Sequence, residues 1–120
     1  MKWWATLGLD LAWVVIFAAI GRLSHGEGMD AAGIAMTAWP FLVGLIGTTI
    51  ILLGLKRPTA HVLNGAIVWL GTLGFGMWIR AKSGEGVQPS FVIVAGIFLI
   101  IGMLGWRLMA APRRRSTGTD

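Results

Sequence analysis

The chain of 120 residues has no cysteine and no tyrosine, and sets only five acidic side chains against ten basic ones. Without cysteine, a disulfide scaffold, a thiolate metal site and a cysteine nucleophile are all excluded. Charge is scarce altogether: 12% of residues are Asp, Glu, Lys or Arg, whereas 56% are hydrophobic and mean hydropathy is +0.77. Even ordinary proteins leave a surface that is roughly 55–60% apolar, so a soluble domain this small could not hide the excess. The solvent that fits is a bilayer.

Four apolar runs, at about 3–20, 34–55, 62–79 and 91–109, make up most of the chain. Each approaches the ~20 residues that cross ~30 Å of hydrocarbon at 1.5 Å per residue. They show no strand-like alternation, and backbone groups in lipid must be satisfied within their own segment. The expected fold class is therefore an all-α integral membrane protein, a four-helix transmembrane bundle. Residues 1–110 form one membrane domain and 111–120 a basic, then polar, tail. Pro40 either opens the second spanning helix at its first turn or lies inside a longer helix capped by Asp30. The first run competes with a secretory signal peptide, given Lys2 and the small Ala18 and Ala19. Asp10 and the bulky Trp3, Trp4 and Trp13 make it a poor cleavable segment.

Orientation follows from basic residues. Lys2, Lys56, Arg57, Arg107, Arg113, Arg114 and Arg115 fall on one side, and Arg22, Arg80 and Lys82 on the other, with Glu27, Asp30 and Glu85. The positive-inside rule then places both termini in the cytoplasm of a cell-membrane protein. The three arginines at 113–115 fix topology or touch anionic headgroups more readily than nucleic acid, which is not expected as a partner. Trp3, Trp4 and Trp106 fall at the cytoplasmic boundary and Trp39 and Trp78 at the outer one, as interfacial anchors; Trp13 and Trp69 lie inside spans as packing residues.

An internal repeat is suggested by Arg22-Leu23-Ser24-His25-Gly26-Glu27-Gly28 and Arg80-Ala81-Lys82-Ser83-Gly84-Glu85-Gly86, the same R-x-x-x-G-E-G at an offset of 58. Each half would be one helical hairpin, related in parallel about the membrane normal; convergence of short Gly-rich loops is the competing explanation. Gly8 with Ala12, Gly44 with Thr48, and Thr72 with Gly76 place small groups four apart, as close helix packing or an oligomer face requires.

Asp10 is the one charged side chain deep in a run, about 10 Å along the helix from Trp3. An unpaired carboxylate there costs on the order of 2.5–3.5 kcal/mol, so it should face the bundle, toward Thr48, Thr49 or Asn64 on the second and third helices. Two roles stand: a hydrogen bond between helices, or a proton- or ion-linked site. In the outer loops, Arg22, His25 and Glu27, with Arg80 and Glu85, either pair with one another or recognise a polar ligand. His25 has no second ligand at a usual metal spacing. His25 and His61 lie at opposite faces and cannot share a haem. No intramembrane Lys, P-loop, G-x-S-x-G elbow or H-E-x-x-H helix is present, so no cofactor and no enzymatic activity are expected.

The runs Gly21-Arg22-Leu23-Ser24-His25-Gly26-Glu27, Thr37-Ala38-Trp39-Pro40-Phe41, Arg57-Pro58, Gly76-Met77-Trp78-Ile79-Arg80 and Ser90-Phe91-Val92 resemble a prokaryotic family of small membrane proteins, domain of unknown function 3054. The resemblance runs from about Asp10 to Arg107. It implies a four-span membrane protein without an established activity, and directs attention to Asp10, Arg22, His25, Glu27, Trp39, Pro40 and Arg80. The first expectation for function is a non-catalytic accessory or assembly subunit, packed against itself or a larger membrane complex. The alternative is a small transporter or channel acting as a homo-oligomer, with Asp10 as its intramembrane ionisable site.

Overall fold

The computed structural model describes residues 2–24, 26, 30–84 and 86–116, with the side chains of Ser24 and of 111–116 left aside. Four helices carry the fold: α1 (Trp3–Ser24), α2 (Ala31–Gly54), α3 (Val62–Lys82) and α4 (Pro89–Ser116). All four are long and apolar enough to cross a membrane. The chain is an all-α, multi-span membrane bundle, 46 Å long and 25 Å across.

Helices neighbouring in sequence pack together, and α4 closes the ring against α1; among the described residues the diagonal pairs make no close backbone approach, and α2 reaches α4 through the Phe41 and Phe91 rings at 6.3 Å. This up-down-up-down path places the start of α1, the end of α4 and the α2–α3 turn at one end, here the terminal end. The end of α1, the start of α2, the end of α3 and the start of α4 lie at the opposite, loop end.

The helices outrun the apolar stretches. α2 begins at Ala31 because the Asp30 carboxylate accepts the Gly33 N–H at 2.9 Å, so Pro40 lies within the helix rather than at its start. Pro40 has no N–H to close on the Met36 carbonyl, and its ring is buried. α4 runs on to Ser116, past the boundary expected at 110, since a helix can continue beyond the hydrocarbon where water takes its open carbonyls.

The core divides along the bundle axis. Toward the loop end it is aromatic: Phe17 meets Phe41 edge-on at 5.4 Å and contacts Phe91 and Phe98 at 6.2 and 5.7 Å. Toward the terminal end it holds polar residues, described below. Between them, glycines set how closely the helices approach. A Cβ on Gly44 would stand 2.8 Å from the Gly71 carbonyl, and one on Gly76 would overlap the Phe41 ring. Two of the three small-residue pairs thus mark the α2–α3 seam. The third, Gly8 with Ala12, faces outward, with nothing within 4 Å of Gly8.

Both mid-span tryptophans are packing residues with a polar handle. Trp13 stacks on Phe98 at 4.7 Å and donates to its carbonyl at 3.0 Å, while Trp69 donates to the Gly96 carbonyl at 2.9 Å. The two indoles hold α4 from α1 on one side and α3 on the other. A Cβ at Gly102 would overlap the Trp13 ring, so the glycine makes the room that this contact uses.

Candidate functional site

The polar centre is built from two chain ends that sequence distance keeps apart. Asp10 lies two turns into α1 and Arg107 near the end of the α4 span, with side chains 1% and 0% exposed. In a dry bundle each charge alone would be costly, and the geometry answers that cost. Arg107 Nη1 donates to Asp10 Oδ1 at 3.0 Å and Nη2 to Oδ2 at 2.7 Å, a two-pronged ion pair. Trp106 Nε1 adds a third donor to Oδ1 at 2.9 Å. The rest of the guanidinium is also taken: Nε donates to the Thr59 carbonyl at 3.0 Å and Nη1 to the Met103 carbonyl at 2.8 Å. One cluster therefore ties α1, α4 and the α2–α3 turn together. α3 contributes a space, since a Cβ on Gly65 would overlap the Arg107 side chain.

This corrects three expectations. Asp10 does not turn to Thr48, Thr49 or Asn64, because α4 offers it a guanidinium, a stronger partner than a hydroxyl or an amide. Thr48 instead donates to the Gly44 carbonyl of its own helix at 2.8 Å. Arg107, assigned above to the cytoplasmic basic set, is fully buried and neutralised. Trp106 is more than an interfacial anchor.

Asn64, 4% exposed, serves the adjoining turn. It accepts from Arg57 Nε and donates to the Pro58 carbonyl, both at 2.8 Å. Thr6 and Thr72 are buried hydroxyls without a hydrogen-bond partner among the described residues.

At the loop end, the two repeat arginines do corresponding work. Arg22, at the end of α1, lies 3.7 Å from Asp30 and against Gly33 at the start of α2. Arg80, near the end of α3, donates to the Gly86 carbonyl at 3.2 and 3.0 Å and covers the Phe91 ring of α4 at 4.5 Å. Each arginine links its helix to the next. Gly26 and Gly84, four residues beyond them, both adopt left-handed backbone, φ 70 and φ 85. The partners suggested for these arginines, Glu27 and Glu85, and His25 as well, lie outside the described residues. Asp30 has its pKa lowered from the ordinary 3.8, first by the Gly33 N–H it accepts, then by its own N–H and by Arg22. Trp39 is exposed and makes no part of the polar cluster. Among the described residues no group of three His, Cys, Asp or Glu could hold a metal ion.

A family model described as Protein of unknown function (DUF3054) matches residues 7–110. The chain belongs to the DUF3054 family. The match takes in Asp10, Trp106 and Arg107, so the whole ion-pair cluster lies within the DUF3054 region. No curated protein and no solved structure matches the chain. In this DUF3054 member, Arg107 and Trp106 are the site residues that charge and boundary position alone do not reveal. The available signal was a lone arginine preceded by about sixteen uncharged residues of one run, facing a lone aspartate in another.

Proposed function

We propose that this protein is a non-catalytic membrane subunit, a rigid four-helix unit that packs in the membrane against copies of itself or a larger complex. The observation that carries the proposal is the state of Asp10. Both of its oxygens and all three guanidinium nitrogens of Arg107 are engaged within the chain. A carboxylate that relays protons or cations must exchange partners, and this one is held by three charge-assisted or indole donors in a site closed to solvent. Breaking such a pair costs about 3–5 kcal/mol, a poor starting point for turnover and a good one for rigidity. The transporter alternative draws less support for that reason.

In this reading both termini lie in the cytoplasm of a cell-membrane protein. Lys2, Lys56, Arg57, Arg113, Arg114 and Arg115 remain as the basic set there even after Arg107 is neutralised. Purification of the tagged chain from native membranes tests the role: stoichiometric partner proteins are expected, and a homo-oligomer that conducts ions after reconstitution would contradict it. A cysteine at Ser116 tests orientation, since labelling by an impermeant reagent outside intact cells would reverse it.

A further inference from the structure

The turn between α2 and α3 is held in a form that favours cations over conformational ease. α2 closes with the Lys56 N–H on the Leu53 carbonyl at 3.0 Å and the Arg57 N–H on the Leu52 carbonyl at 2.9 Å, a Schellman motif. Its left-handed residue is Lys56 at φ 59, where glycine is the unstrained occupant. The chain keeps a lysine there despite that strain.

Arg57 beside it is oriented from below. Its Nε donates to Asn64 Oδ1, and Asn64 is buried and fixed in turn by the Pro58 carbonyl. Asn64 is the partner the structure gives Arg57 among the described residues, so both Nη groups of this exposed side chain keep their donors uncommitted. No acid in the described residues balances this end: Asp10 is spent on Arg107, and Asp30 lies at the loop end. Lys2 is exposed at the same end with Trp3 and Trp4, rings that suit headgroup depth.

We propose that the turn at Lys56 and Arg57 binds the headgroup phosphate of an anionic phospholipid. Arg57 supplies a planar two-donor face that matches phosphate oxygens, and Lys56 adds a mobile point charge. Asn64 lowers the cost of binding by holding the guanidinium before the lipid arrives. The site does not depend on whether the protein is an accessory subunit or a transporter.

The test is a lipid titration of the full chain in neutral detergent, with thermal unfolding followed by tryptophan emission. Phosphatidylglycerol is expected to raise the midpoint, and phosphatidylcholine and inorganic phosphate are not. Arg57→Gln and Lys56→Gly should each weaken the apparent affinity for phosphatidylglycerol about fivefold, one surface charge's worth. Lys56→Gly should also raise the lipid-free midpoint by relieving the backbone, which separates lost binding from lost folding. Lys82→Gln, at the opposite end, should keep the full response. Equal stabilisation by phosphatidylcholine, a full shift from inorganic phosphate, or unchanged affinity in both turn variants would overturn the proposal.

Discussion

Asp10 and Arg107, 97 positions apart in the chain, meet through two hydrogen bonds of 3.0 and 2.7 Å with both side chains out of solvent. The pair joins the first and last helices, so it closes the ring that the three sequential packings leave open. It also reaches the α2–α3 turn through the Thr59 carbonyl. One charge pair thus ties α1, α4 and the α2–α3 turn at the terminal end, which makes its removal informative.

Truncating one partner should cost far more than truncating both. Asp10→Ala strands a buried guanidinium, and a loss of about 3–5 kcal/mol is expected; Arg107→Ala strands a carboxylate at similar cost. The double variant Asp10→Leu with Arg107→Met puts apolar groups in both places and should recover most of that loss. Denaturation in mild detergent, with Asp10→Leu and Arg107→Met also measured singly, checks this as a double-mutant cycle. Single losses that simply add would mean that the two charges do not support one another.

Glycines at the contacts should divide sharply by position. Gly65→Ala drives a methyl into the Arg107 side chain and Gly102→Ala into the Trp13 indole, each expected to cost about 1–3 kcal/mol. Gly8→Ala meets nothing within 4 Å and should be neutral or mildly stabilising. The same unfolding measurement ranks the three.

The start of α2 should respond to acid. The pKa of Asp30 is depressed by the Gly33 N–H, so its contribution is fully present above the ordinary carboxylate value of 3.8 and is lost as pH falls through the lowered one. Hydrogen exchange at the Gly33 amide, corrected for the intrinsic rate, should lose protection across that acid range. Asp30→Ala should remove the pH dependence and leave the amide weakly protected throughout.

The sequence made the helices legible because spanning lipid demands long, uncharged, self-satisfied segments, and apolar runs reveal those directly. It also identified Asp10 as a buried charge. What it hid was the partner. Arg107 sits where basic residues usually leave the membrane for the cytoplasm, so charge counting assigned it to the surface; only the antiparallel return of α4 beside α1 brings it inward. Asn64 was legible as a polar residue within a span, but its use in orienting Arg57 depends on the path of a short turn. The arginines of the repeated loop motif were visible by spacing, whereas the targets of Arg22 and Arg80 on the following helices come from three-dimensional packing.

In the proposed role, Asp10 holds the bundle together and carries no ion. Proton flux into vesicles containing a trapped pH-sensitive dye, under an imposed gradient, tests it most directly when the wild-type protein is compared with the Asp10→Leu, Arg107→Met double variant. Both should fold, insert and show the same leak as protein-free lipid. A flux through the wild-type protein that disappears in the folded double variant would contradict the claim and make Asp10 part of a transport pathway.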